Sequence, residues 1–266
     1  MELSACLDLL FGDDDPATPL EVRIPRAADE GLTWVEMWGW TQRDMDAVGT
    51  ALRETGLHLN CLTLDPFVPL VDRRVHDAFL ASVARSARVA EVIGCPFVVV
   101  LAGDALPGVP RSAQRGAVVD GLRRAAPIAE RHGVTLLIEN LNSRVDHVGH
   151  YLDTTPEALW IVEAVDHPSV RMLYDLYHSV VMGERPQEVL ADRLDLVAHV
   201  QIADVPGRHE PGTGTIDWRG VLAWLSERAY RGRLGLEYVP TVSTGRSMAH
   251  LRAILATLGR GRSTGA

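Results

Sequence analysis

Four short apolar runs in the second half of the chain each close on a side chain with an oxygen to offer. Leu136-Leu137-Ile138 runs into Glu139 and Asn140, Met172-Leu173-Tyr174 into Asp175, His199-Val200 into Gln201, and Gly235-Leu236 into Glu237. Any one of these carboxylates alone would be satisfied by a backbone amide or an arginine. Three brought to one place repel each other, and buried like charges are costly unless a cation or protons intervene. A divalent metal ion is the simplest resolution. Donors that are all oxygens suit Mg²⁺ or Mn²⁺ better than zinc, which more often takes Cys or His. His178 lies three residues past Asp175 in Asp-Leu-Tyr-His, placed at the rim where it can donate to a substrate oxygen. Residues 203–214 are rich in glycine, which lets backbone approach a ligand closely, yet carry Arg208, His209 and Glu210. Arg208 is the natural partner of a substrate carboxylate or hydroxyl pair, because guanidinium binds such groups bidentately. Glu210 is placed beside it as a second substrate-binding residue.

For those four ends to meet, the runs must be parallel strands of one sheet. Short apolar stretches alternate with longer amphipathic ones along the whole chain, the pattern of a parallel sheet covered by helices. Eight strands are predicted, over residues 3–7, 33–37, 57–62, 97–101, 134–139, 170–175, 197–202 and 234–238. Between them apolar residues recur three and four apart, as at Ala78, Val83, Ala87 and Ala90, or at Val221, Leu222, Trp224 and Leu225. Gly31, Gly56, Gly94, Gly133 and Gly232 stand just before strands, where helices stop. Eight such units without a linker predict a single-domain α/β fold, a (β/α)8 TIM barrel over residues 1–258, rather than an open six-stranded sheet. Residues 259–266 are expected to form a disordered tail. In a barrel of this kind the loops after the strands build the active site, which is where the oxygen donors fall. Glu36, closing the second strand, is expected to be a structural carboxylate. Trp38 and Trp40 form either an apolar lid or helix packing. A Gly-x-Ser-x-Gly match at 261–265 has no strand before it and no helix after it, and is set aside.

The chain has 266 residues, 47% of them hydrophobic and 23% charged, enough for one large core. All 26 basic residues are arginine, so no lysine exists to form a Schiff base or to serve a phosphate-binding loop. The net charge of −9 argues against a nucleic-acid partner. A small-molecule substrate is expected instead, with homo-oligomerisation left open. Cys6, Cys61 and Cys95 are far apart and odd in number, which fits neither a disulfide framework nor a zinc knuckle. No apolar run approaches the length of a membrane span and no basic leader opens the chain, so no membrane association and a cytoplasmic location are expected.

Leu137-Ile138-Glu139, Tyr174-Asp175-Leu176-Tyr177-His178, His199-Val200-Gln201-Ile202-Ala203-Asp204 and Glu237-Tyr238 resemble the corresponding segments of hydroxypyruvate isomerases. Residues 206–214, Pro-Gly-Arg-His-Glu-Pro-Gly-Thr-Gly, are similar to that family's loop nearly letter for letter, and the likeness runs over most of the chain, including the opening Leu9-Leu10-Phe11-Gly12. The wider group, the xylose-isomerase-like barrels, also holds ketose 3-epimerases, inosose dehydratases and endonuclease IV. The resemblance implies that Glu139, Asp175, Gln201 and Glu237 ligate the metal, that Glu139 and Glu237 also form the acid/base pair, and that His178 and Arg208 hold the substrate. It further implies an aldose–ketose type isomerisation through a cis-enediolate, hydroxypyruvate to tartronate semialdehyde. A ketose 3-epimerase, a 2-oxo-tetronate isomerase and an inosose dehydratase-like enzyme are the alternatives. Gln201 favours the isomerase branch, since ketose epimerases usually carry histidine there. The chain departs from the family's pattern at Val239, Thr215 and Asn140, where lysine, glutamate and proline are common. Endonuclease IV would need a trinuclear zinc cluster with many histidines and a basic face, unlike this acidic chain.

Overall fold

Eight parallel strands close on one another in chain order: β1 (Leu3–Cys6), β2 (Trp34–Met37), β3 (His58–Thr63), β4 (Phe97–Val100), β5 (Thr135–Glu139), β6 (Val170–Asp175), β7 (Val197–Ile202) and β8 (Leu234–Leu236), which pairs back to β1. This computed structural model describes residues 1–12 and 15–263, with side chains as far as residue 259. The fold is the predicted (β/α)8 TIM barrel, and every strand lies within a residue or two of its predicted bounds.

The strands are near-continuous apolar runs because both faces are covered, the inner by the barrel's filling and the outer by helices. That outer layer is α1 (Leu20–Asp29), α2 (Met45–Thr55), α3 (His76–Ile93), α4 (Arg111–Arg131), α5 (Thr155–Val165), α6 (Leu176–Val181), α7 (Pro186–Leu190), α8 (Trp218–Glu227), α9 (Thr244–Ser247) and α10 (Ala249–Ser263). The buried stripe of α3 runs through Phe79, Val83, Ala87 and Ala90, with Phe79 taking the place predicted for the exposed Ala78. On α8, Val221, Leu222 and Leu225 are buried. Gly31, Gly56, Gly94 and Gly133 follow their helices with φ of 74°, 72°, 75° and 65°. Gly232 does not act this way. Ala229 takes the left-handed turn after α8, and position 232 needs glycine because a Cβ there would strike the Tyr230 ring and the Ala198 carbonyl. Helix α10 continues through Ser263, so residues 259–263 of the expected tail are helical. Residues 264–266, with the end of the Gly-x-Ser-x-Gly match, lie outside the described residues.

Inside the barrel the filling is divided. Cys61, Val99, Leu137 and Leu173, one each from β3 to β6, form an apolar cluster. Beside it the interior is polar, with Glu36, Asn60, His199 and Gln201 all buried, and Cys61 Sγ lies within 4.8 Å of ligand atoms of Glu36 and His199. Glu36 Oε1 lies 2.7 Å from His199 Nε2, and Asn60 Nδ2 donates to the same oxygen at 3.3 Å. Arg233 donates to Asn60 Oδ1 at 2.8 Å while its guanidinium covers the Trp34 ring. Buried polar groups of this kind persist when each finds a partner. Gly235 on β8 leaves them room, since a Cβ there would stand 2.7 Å from both Glu36 Oε1 and His199 Nε2.

Candidate active site

Glu139 is the last residue of β5 and Asp175 the last of β6. Gln201 stands level with Asp175 across the β6–β7 ladder, and Glu237 follows β8 directly, its N–H still donating to the Ile202 carbonyl at 3.2 Å. All four side chains are buried, and Glu139, Gln201 and Glu237 line one cavity of ≈ 240 Å³. Asn140 clamps the strand ends together: it donates to the Asp175 carbonyl and accepts from the Asp175 N–H, both at 3.1 Å, which a proline there could not do. Burial strips water from Glu139, and the charges of Glu237 and Asp175 add to that, so its carboxyl is pushed well above the usual carboxylate range. Asp175 is pushed well above it too, by burial first and Glu237 next. A cation among them would remove that penalty. Glu139, Asp175 and His178 each place a potential ligand atom within 4.8 Å of the others.

Gln201 supplies an independent mark of a cation site. Its Nε2 donates to Glu36 Oε2 at 3.0 Å, and its Oε1 is buried without a hydrogen-bond partner among the described residues. A carbonyl oxygen left bare in the same cavity as two glutamates suits a positive ion. Burial would raise the Glu36 carboxyl, but His199 and the hydrogen bonds from His199 and Gln201 outweigh it and hold Glu36 below its ordinary value.

Asp175 also begins α6, its Oδ1 accepting the His178 N–H at 2.9 Å. The wholly buried His178 ring is thereby set beside it, with Nε2 3.7 Å from Asp175 Oδ2. Asn142 fixes the tautomer. Its oxygen already accepts from the N–H groups of Val145 and Asp146 at 2.9 Å, so its amide nitrogen faces His178 Nδ1 at 2.6 Å. Nδ1 must therefore accept, and the ring proton sits on Nε2. Burial, with Arg208 and the neighbouring His147 and His150, lowers the His178 pKa well below its ordinary value and keeps the ring neutral. Nε2 has no hydrogen-bond partner among the described residues. A protonated ring nitrogen has no lone pair for a metal, so His178 offers a hydrogen-bond donor rather than a ligand.

The segment after β7 is tied around Asp204. Its Oδ1 accepts from the N–H groups of Val205 at 2.9 Å and Ile216 at 3.2 Å, and its Oδ2 from Gly212 N–H at 2.8 Å and Trp218 Nε1 at 2.9 Å. Within this ring Arg208 adopts a left-handed φ of 56° and reaches Glu237, Nη2 to Oε2 at 2.8 Å, with its guanidinium 5.4 Å from the Tyr177 ring centroid. Burial would lower the Arg208 pKa, but Glu237, Asp175, Glu139 and Asp146 raise it further, so the side chain stays a cation. Trp38 Nε1 donates to the other Glu237 oxygen at 2.8 Å.

Glu139, Asp175, His178, Gln201, Arg208 and Glu237 are thus brought together. Glu210 is not: both of its oxygens are taken by Thr241, from N–H at 2.9 Å and Oγ1 at 2.6 Å, which pins the Arg208 segment to the chain beyond β8. Trp40 packs, its Nε1 donating to Ser86 of α3 at 3.0 Å. Three contributors escaped the sequence reading: the indole nitrogen of Trp38, Asn142, and His147, which lines the cavity with its ring 5.3 Å from that of His178. Asn142 and His147 lie on the irregular segment after β5, where a polar residue following a strand end was the one available signal.

The family model described as xylose isomerase-like TIM barrel matches residues 24–254. A 2-oxo-tetronate isomerase of Pectobacterium atrosepticum is 30% identical over 252 residues, covering 91% of this chain and 94% of the relative. A hydroxypyruvate isomerase of Escherichia coli is 28% identical over 252 residues, covering 92% and 95%. Among solved structures, one titled as an AP endonuclease, family 2, from Brucella melitensis superposes with a TM-score of 0.87 at 26% identity, covering 95% of this chain and 99% of that one. With the strand-end residues in place and isomerases aligned over nearly their whole length, the chain is an isomerase and belongs to the xylose isomerase-like TIM barrel family.

Proposed function

We propose that this isomerase depends on a divalent metal ion and moves a carbonyl between adjacent carbons of a small α-hydroxycarbonyl acid, hydroxypyruvate first, with 2-oxo-tetronates as the close alternative. The observation that carries the proposal is a cavity lined by Glu139, Glu237 and Gln201, with the buried Asp175 carboxylate grouped beside Glu139 and the Gln201 Oε1 bare among the described residues. At ≈ 240 Å³ the cavity suits a compound of a few carbons, since drug-sized ligands occupy roughly 300–1,000 Å³. A Mg²⁺ or Mn²⁺ ion bound to Glu139, Asp175, Gln201 and Glu237 supplies Lewis-acid polarisation of the substrate's carbonyl and neighbouring hydroxyl.

The chain's own residues move the protons. Glu139 and Glu237 form the acid/base pair, one taking the C3 proton of hydroxypyruvate and leaving a cis-enediolate. The proton returned to C2, with loss of the O3 proton and protonation at O2, completes tartronate semialdehyde. His178 Nε2–H donates to the negative charge developing on the substrate oxygens, and Arg208 exchanges its contact with Glu237 for the same task. Turnover of substrate deuterated at C3 is expected to release label to water, and to stop in chelator-treated enzyme until Mg²⁺ or Mn²⁺ is restored. Full retention of deuterium in the product points to a hydride shift and overturns the enediolate.

Position 239 favours a second reading, a ketose epimerase acting on an uncharged sugar. Arg208 is the one arginine among the described residues lining the cavity, and valine at 239 adds no further cation for a substrate carboxylate. Parallel assays on hydroxypyruvate, 2-oxo-tetronates and free ketoses separate the two.

A further inference from the structure

We infer that Glu36, from the barrel interior below the mouth, is a positioning residue that decides which end of the Gln201 amide faces the metal site. The inference rests on Gln201 being a metal ligand, as proposed above. The two ends of a glutamine amide are nearly the same size, so shape alone does not choose between them, and only the partner does. Here the partner is a carboxylate. Its Oε1 faces His199 Nε2 at 2.7 Å and receives Asn60 Nδ2 at 3.3 Å, while Oε2 receives Gln201 Nε2 at 3.0 Å. An ionised carboxylate accepts and never donates, so Gln201 must give it the NH₂ group and turn Oε1 away, which is the buried oxygen without a partner among the described residues. A glutamine turned the other way would present NH₂ protons to a cation and contribute repulsion in place of a ligand. The arrangement has no slack. Gly235, level with Gln201 on the neighbouring strand, has no space for a Cβ, which would stand 2.7 Å from Glu36 Oε1 and 2.8 Å from Gln201 Cγ.

Residues that orient a metal ligand typically alter affinity by about 10–100-fold when changed. Glu36→Gln is isosteric but can donate as well as accept, so it no longer dictates the amide's orientation. The test is Mn²⁺ affinity, measured by calorimetry on the full chain without substrate, for the wild type, Gln201→Met, Glu36→Gln, Gln201→Glu and the Glu36→Gln/Gln201→Glu pair. Glu36→Gln is expected to weaken Mn²⁺ binding by about 10–100-fold in the native background. In the Gln201→Glu background either end of the side chain is an oxygen, and a like charge faces Glu36. The same Glu36→Gln change should there strengthen binding or leave it unaltered. A general packing defect weakens binding in both backgrounds, and that result overturns the inference. Loss of affinity in Gln201→Met with none in Glu36→Gln overturns it while leaving the ligand assignment standing. Full affinity in Gln201→Met removes the ligand assignment itself. Should the Glu36 variants not fold, a crystal structure of the wild type with Mn²⁺ answers the same question. The inference requires Oε1 on the ion and Nε2 within hydrogen-bond reach of Glu36, and the reverse orientation overturns it.

Discussion

Glu139 and Glu237 are the same residue type held in different ways, and the difference sets what each substitution should do. Glu237 has both oxygens occupied, one by Trp38 Nε1 and one by Arg208 Nη2. The Glu139 carboxylate instead meets burial and like charge from Glu237 and Asp175. A positioned acid or base is worth about 10²–10⁴ in rate, so Glu139→Gln and Glu237→Gln should each lower kcat by that range. An unchanged kcat in either variant removes that residue from proton transfer. Stability should separate the two. At position 237 an amide NH₂ would face either Trp38 or Arg208, both donors, and one buried donor goes unpaired at a cost of about 1–3 kcal/mol. At position 139 the amide removes a charge from a repelling group. Metal-free melts should therefore show a lower Tm for Glu237→Gln and an equal or higher one for Glu139→Gln.

The segment from the end of β5 to the start of α5 carries the least regular part of the site, and its stability should depend on pH. His150 there is buried with no hydrogen-bond partner for Nε2 among the described residues, and burial, then His147, lowers its pKa to about 4. An unfolded histidine takes up its proton near pH 6.5, well before the folded one does. Stability is thus full above that pH and falls as pH drops toward 4, by ~3 kcal/mol for a shift of this size. His147 and His178 are shifted the same way, so His150→Gln should make the fall shallower without abolishing it. Denaturation midpoints between pH 4 and 7.5 measure this, and an unchanged slope in the variant refutes it. The same segment shows where sequence stops being informative. Glu139 and Asp175 end strands, Gln201 is the last residue but one of β7, and Glu237 follows β8, so strand periodicity places all four at one mouth. Asn142 and His147 sit on a path set by tertiary contacts, and no periodicity announces which way they face. The turn of Glu210 back to Thr241 is hidden for the same reason: a loop carboxylate beside a binding arginine has no pattern that shows it. Gly232 looked like a helix stop because glycine serves both left-handed turns and close packing, and only the neighbouring Tyr230 ring tells them apart.

At the scale of the whole barrel, the interior holds an apolar cluster, a polar network beside it and an acidic group at the mouth, and the last of these makes folding respond to metal and pH together. Glu139 and Asp175 hold protons more tightly when folded than when unfolded. Groups shifted upward contribute stability that is present below their unfolded pKa and is lost as pH rises through the folded one. The metal-free protein therefore loses this contribution as pH climbs out of the carboxylate range. Metal binding requires the deprotonated form, so its own stabilisation grows over the same interval. An ion at 100 times its dissociation constant adds about 2.7 kcal/mol when it binds only the folded state. The gap in Tm between Mn²⁺-loaded and chelator-treated protein should accordingly widen from pH 5 to pH 8. His178, with Nε2 3.7 Å from Asp175 Oδ2, and His147, which lines the same cavity, feel the ion as well, so the gap reports the carboxylates together with these two rings. Asp175→Asn removes one acidic group without touching the barrel's apolar side, and should narrow the gap at pH 8 more than at pH 5. A gap absent at both pH values would mean that no ion settles on this acidic group, and that its charge is balanced by protons and Arg208.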